Sequence, residues 1–232
     1  MAPEHTESAQ GRTFRFIRYW NATIAILVTA ALLIQLWIAI REGSHPRGHA
    51  VGTLKGTYLV GRIVRLLSFF TIQSNILTAI TSAQVARNPL RDGPVWRPVR
   101  LASLVGITVT GIVYSTVLAK VHETHGWQET STNVVVHYIA PIMMVIAWLA
   151  FGPRPRVSGR VVAYAAIFPV GWSAYTIIRG AITHWYPYPF VDVTTHGYGR
   201  SLLNAAAVCV VIVLVMALYW VGDRFLPPRP AS

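Results

Sequence analysis

Acidic side chains are scarce: eight Asp and Glu in 232 residues, against 20 Lys and Arg, for a net charge of +12. Charged residues of both signs make up only 12% of the chain, whereas a soluble domain carries about a quarter. That shortage, with 53% hydrophobic residues in long blocks instead of amphipathic stripes, excludes an ordinary water-facing domain and indicates one polytopic membrane domain. The single cysteine, Cys209, excludes an intramolecular disulfide and a cysteine metal cluster. Lysine is nearly absent, with only Lys55 and Lys120, and the arginine bias points to a GC-rich bacterial genome. The basic residues sit in short loops at the ends of apolar blocks. This placement fits anionic lipid head groups and argues against nucleic acid.

What the chain has in abundance is apolar length. Six runs approach the roughly 20 residues needed to cross a bilayer: 19–40, 63–85, 101–121, 133–151, 161–182 and 201–221. Breakers separate them, among them Gly43, Pro46 and Gly48, then Pro89, Gly93, Pro94 and Pro98, then Gly152, Pro153 and Pro155, then Pro187 and Pro189, then Pro227 and Pro228. The expected fold is therefore all-α, a bundle of six transmembrane helices over 19–222. Residues 1–18 are expected to be a disordered cytoplasmic N-terminus and 223–232 a cytoplasmic tail. Twelve of the 20 cationic residues fall on the side that holds both termini, which places that side in the cytoplasm. No internal repeat supports an inverted-repeat transporter.

The second run contains Ser68-Phe69-Phe70-Thr71-Ile72-Gln73-Ser74-Asn75. Ser68, Thr71, Ser74/Asn75, Thr78 and Ser82 recur every three or four residues and so share one helix face. Polar groups are costly in lipid, so this face is expected to meet protein or a cavity. The fourth run contains the one histidine inside a span, His137, in Asn133-Val-Val-Val-His137-Tyr138-Ile-Ala-Pro141. Pro141 has no N–H, so the helix should kink and leave the His137 carbonyl without its usual donor. Both runs enter from the non-cytoplasmic side, with Thr71 roughly 12 Å and His137 roughly 6 Å along them. A hydroxyl beside an imidazole is the core of nucleophilic acyl transfer, with threonine activated by histidine. Such a polar stripe can equally serve to bind helices together.

No carboxylate lies inside the spans to orient the imidazole; Asp192, Glu123 and Glu129 are in loops, and Asn133 or a backbone carbonyl offers an alternative. Gln73, Asn75 and Tyr138 are candidate oxyanion donors. Arg62, Arg65, Lys120, Arg179 and Arg200 stand at the non-cytoplasmic ends of the spans. They either snorkel to the interface or form a mouth that holds the carboxylate or phosphate of an amphiphile. The segment Trp185-Tyr-Pro-Tyr-Pro-Phe-Val-Asp192 is either an interfacial aromatic belt or a stiff roof over a cavity. His122, His125, His184 and His196 gather in loops on the same side, but their spacing is no metal signature, and neither a metal nor another cofactor is expected.

The chain resembles the androgen-induced and androgen-dependent (TFPI-regulating) family of six-span membrane proteins, including its bacterial branch. The resemblance covers most of the length. It rests on Phe69 to Asn75, on Asn133 through His137 to Pro141, and on Tyr186 to Asp192 following Trp172 and Tyr175. It implies hydrolysis of fatty acid esters of hydroxy fatty acids in a bacterial cell membrane, with Thr71 as nucleophile and His137 as base. The expected partners are a lipid or fatty-acyl ester substrate and membrane lipids. The alternative is a non-catalytic membrane carrier or a lipid-binding or interaction protein.

Overall fold

A backbone surrounded by apolar side chains satisfies its polar groups most cheaply within one segment, and helices do this. The computed structural model describes residues 9–41, 54, 57–122, 124 and 126–227. Among these residues there are seven long helices, one 3-10 turn (Pro189–Val191) and no strand: α1 (Ala9–Arg41), α2 (Leu59–Ser68), α3 (Phe70–Arg87), α4 (Trp96–Leu118), α5 (Gly126–Phe151), α6 (Gly159–Thr183) and α7 (Val193–Phe225). Gly43, Pro46, Gly48, Lys55, Glu123, His125 and Pro228 lie outside the described residues. Five helices are long and apolar enough to cross a membrane. The count rises to six if α2 and α3 together form one broken span. Their outward faces carry Ile26, Leu33, Trp37, Ile142, Val170, Ile178, Leu203, Val213 and Leu218, all exposed, which fits an integral multi-pass membrane protein.

Helix α4 is the central element, and Leu101, Leu104, Val105, Ile107 and Val109 form the middle of the core. α3 packs beside it, where Gly106 leaves room for Ser74: a Cβ at residue 106 would lie 2.8 Å from Ser74 Oγ. The polar face of α3 does turn inward. Ser68, Ser74, Asn75, Thr78, Thr81 and Ser82 are all buried to 1% exposure or less. Thr81 meets Ser103 of α4 at 3.0 Å, and Ser82 donates to the sulfur of Met144 at 3.4 Å. Most of the stripe therefore holds helices together.

Several boundaries differ from expectation, each for a physical reason. α1 begins at Ala9, well inside the stretch expected to be disordered, because Ile17 is buried and Phe16 packs on Trp20 and Phe151. Pro98 lies inside α4, not before it, since the first turn of a helix needs no donor there. α6 is interrupted at Ala166, where Pro169 cannot donate to the carbonyl of Ala165. α7 starts at Val193 and bends at Gly197, whose φ of 71° only glycine adopts without strain.

The largest departure is the second span. α2 and α3 meet at an angle of 74°, with Phe69 extended between them at φ −70°, ψ 131°. No glycine or proline signals this break; tertiary contacts hold it. Trp172 Nε1 donates to the Ser68 carbonyl at 2.9 Å, and Ser68 Oγ meets the Tyr175 hydroxyl at 2.8 Å.

Arg62 is buried in α2 and donates to the carbonyls of Ala39, Ile40 and Thr57 at 2.8, 3.2 and 3.3 Å. It thus caps the C-terminal end of α1, and its guanidinium is committed there, so it is not a head-group ligand. Arg62→Ala should lower the stability of the protein in detergent by about 3 kcal/mol, since hydrogen bonds from a charged donor are lost and buried carbonyls orphaned. An unchanged melting temperature would contradict the capping role.

Candidate functional site

The break at Phe69 turns a mid-span position into a helix start. Thr71 becomes the second residue of α3, within the first turn, where backbone N–H groups have no intrahelical partner. Its side chain meets two others. Thr71 Oγ1 lies 3.4 Å from Nε2 of His137 and 3.2 Å from the hydroxyl of Tyr188, and the Thr71 N–H donates to that same hydroxyl at 3.1 Å.

His137 lies in a π turn, Val135–Ile139. Here the N–H of Ala140 bonds to the carbonyl of Val135, and Pro141 has no N–H to offer. In this register the carbonyl that faces Pro141 is that of Val136, one residue before the His137 carbonyl expected from the sequence. Asn75 Nδ2 supplies the missing donor at 3.2 Å and also holds the Thr71 carbonyl at 2.9 Å. Asn75 thus ties the start of α3 to the π turn of α5, bringing Thr71 and His137 together. It is a clamp and not an oxyanion donor.

The imidazole is oriented by backbone. Nδ1 lies 3.2 Å from the Asn133 carbonyl, which can only accept; Nδ1 carries the proton and Nε2 presents its lone pair to the Thr71 hydroxyl. The ring is stacked on Tyr114, with centroids 3.8 Å apart and planes at 19°. Tyr114 belongs to a second π turn at the end of α4 (Tyr114–Leu118) and accepts a 2.7 Å bond from Asn133 Nδ2. Asn133 therefore positions His137 twice, through its own carbonyl and through Tyr114.

Other expected participants are elsewhere. Gln73 donates to the Leu67 carbonyl at 2.9 Å, across the break and away from the site. Tyr138 is exposed and edges against Tyr114. Asp192 does not orient the imidazole: it caps α7, accepting from Thr194 N, Thr194 Oγ1 and Thr195 Oγ1 at 2.9, 2.6 and 2.6 Å. Burial pushes the Asp192 carboxyl up, but these donors outweigh it and hold the group below the usual carboxylate range. Lys120 and Arg200 are exposed. Arg65 and Arg179 converge, standing 5.2 and 4.7 Å from the centroid of the buried indole of Trp185. His184 ends α6 in a left-handed conformation at φ 52°. Among the described residues no three His, Cys, Asp or Glu side chains gather as a metal set.

The aromatic connection is not a lipid-facing belt. Trp185, Tyr186 and Tyr188 are buried, and Phe69 packs edge-on against both Trp185 and Tyr188. Asn204 anchors the segment through a 2.8 Å bond to the Phe190 carbonyl. Beneath it lies a narrow apolar cleft of about 30 Å³ lined by Phe70, Thr71, Thr110, Trp172, Tyr188 and Phe190, among others. Thr110 is 4% exposed there and its hydroxyl has no partner among the described residues. Tyr188, Tyr114 and Thr110 are the residues sequence reasoning missed. Only Tyr188 carried a signal, the aromatic density of its segment.

Gly180 supports this roof, because a Cβ at that position would overlap the ring of Tyr186. Gly180→Ala should cost about 2 kcal/mol by overpacking and displace the segment that carries Tyr188. A normal melting temperature with normal solvent protection of residues 185–190 in hydrogen exchange would contradict this.

Searches against family models, curated proteins and solved structures return no match to this chain.

Proposed function

We propose that the chain is an intramembrane hydrolase of lipid esters, of the fatty acid ester of hydroxy fatty acid type. It would work from six spans, counting α2 and α3 as one, with both termini cytoplasmic in a bacterial cell membrane. The observation that supports this best is the Thr71–His137 pair at 3.4 Å, with the second imidazole nitrogen held by a carbonyl and an apolar cleft alongside. Helix packing alone requires neither the defined tautomer nor the cleft. The resemblance to the androgen-induced family points the same way.

In this reading the ester enters at the mouth of the apolar cleft and its carbonyl reaches Thr71. Oγ1 attacks the carbonyl carbon while His137 Nε2 takes the hydroxyl proton. Negative charge develops on the former carbonyl oxygen. Tyr188 accepts from the Thr71 N–H and, with the Thr71 proton directed to His137, donates to Oγ1 in the resting site; once Oγ1 bonds to carbon, this proton turns toward the charge, and the first turn of α3 adds a favourable dipole. Collapse of the intermediate breaks the bond to the alkoxy oxygen, which takes the proton from His137 and leaves as the hydroxy fatty acid. Water, deprotonated by His137, then cleaves the acyl–Thr71 ester and releases the fatty acid. The free carboxylate of the substrate would meet Arg65 and Arg179, which flank Trp185 at the same end of the bundle.

The test is direct. Purified protein supplied with a fatty acid ester of a hydroxy fatty acid should release both acids in equimolar amounts. Release that is equal to that of a Thr71→Ala, His137→Ala control would overturn the reading.

A further inference from the structure

The end of the bundle opposite Thr71 holds a second cleft, of about 80 Å³, that the hydrolase reading does not use. It lies at the far end of α3, about 25 Å from Thr71 at 1.5 Å per residue. Its wall carries four arginines, Arg91, Arg97, Arg100 and Arg156, against one carboxylate, Asp223.

Most of these charges already have partners. Arg97 donates through Nε and Nη2 to both oxygens of Asp92, each at 2.8 Å, and this fork holds the Asp92 carboxyl well below the usual carboxylate range. Arg156 stands 3.6 Å from the same carboxylate and donates to the Arg91 carbonyl at 2.8 Å. Asp223 uses Oδ2 on the backbone N–H groups of Arg156 and Val157 at 2.6 and 2.7 Å. Arg91 lies 5.0 Å from the centroid of Trp96.

Arg100 is different. Its guanidinium donates to Thr81 Oγ1 at 3.2 Å and contacts the Met144 sulfur at 3.6 Å. No ion pair links it to a carboxylate among the described residues. Arg62, by contrast, is more enclosed and has three carbonyls around it. Arg100 is half-buried, and a cation partly withdrawn from water beside a hydroxyl and a thioether lacks the counter-charge that normally offsets desolvation. Asn21 lines the same cleft at 1% exposure, and its Oδ1 has no partner among the described residues.

We propose that this cleft binds a phosphate-class oxyanion, with Arg100 as the guanidinium fork, Arg91 as the second cation and Asn21 Oδ1 accepting from a ligand O–H or N–H. Guanidinium groups match phosphate oxygens in paired hydrogen bonds, and the donor set here is unused in that sense. The ligand's source is either the head group of an anionic phospholipid or free phosphate.

The experiment uses the full-length protein and measures its thermal unfolding in detergent with inorganic phosphate, and in nanodiscs of phosphatidylcholine with or without phosphatidylglycerol. The site predicts a melting temperature raised by several degrees by at least one anionic probe, and an apparent affinity at least ten-fold weaker in Arg100→Gln. Arg224→Gln, an exposed change at the same end but outside the cleft, should leave the response intact. A response to phosphatidylglycerol alone identifies the head group as the ligand, and a response to inorganic phosphate identifies the free anion. If Arg100→Gln does not fold, Arg91→Gln takes its place with the same expected direction. The proposal is overturned if neither probe shifts the wild-type protein, if the variant responds like wild type, or if Arg224→Gln weakens the response as much.

Discussion

Thr71→Ala should reduce ester turnover by about 10³-fold or more, with His137→Ala close behind and the double variant no worse than the Thr71 single. A nucleophile and its base act as one unit, so removing the second after the first has little left to remove. The substitutions are also structurally mild. Thr71 gives up contacts to Tyr188 and His137, while Asn75 still ties the Thr71 backbone carbonyl to Val136 and keeps the start of α3 in place. Melting temperatures within a few degrees of wild type are therefore expected alongside the loss of turnover. Additive losses in the double variant would instead indicate that the two residues act separately.

Tyr188→Phe has the second largest expected effect, about 10²-fold in kcat with KM little changed, the usual scale for one oxyanion donor. The phenyl ring keeps the contacts with Phe69, Trp172 and Phe190 that seat the segment, so packing survives and only the hydroxyl is lost. The loss should differ in kind from that of Thr71→Ala. Covalent attack on Thr71 remains possible, so a reactive phosphonate should still label Tyr188→Phe, only more slowly. A Tyr188→Phe variant with wild-type kcat would remove the tyrosine from the oxyanion role and leave it as a strut.

The sequence made much of this legible and hid the rest for identifiable reasons. Apolar runs of span length and the Ser/Thr/Asn periodicity of 68–82 were enough to expect an all-helical chain with a polar face turned inward. Placing each along its own run put Thr71 and His137 in the same half of the membrane but did not establish contact, which the structure shows at 3.4 Å. The break at Phe69 was not legible, because it is held by Trp172 and Tyr175, more than 100 residues away, and no local residue encodes it. The role of Asn75 was hidden for the same reason: the carbonyl it satisfies is vacated by a π turn, and register shifts of one residue leave no trace in hydrophobic periodicity. Arg62 illustrates the converse. A cation at a span end suggests a head-group ligand, yet the open end of α1 claims it first. Asp192 looked available to the imidazole for want of any other acid, but a helix start with two threonines beside it is a stronger attractor.

The central claim, that Thr71 is a nucleophile activated by His137, is tested most directly by mapping a covalent adduct. Purified protein is treated with a lipophilic fluorophosphonate, digested, and the modified residue located by peptide mass spectrometry. A single phosphonylated site at Thr71, absent in Thr71→Ala and strongly slowed in His137→Ala, is the expected result. Unmodified Thr71 in protein that hydrolyses lipid esters, or labelling that is undiminished in His137→Ala, would contradict it.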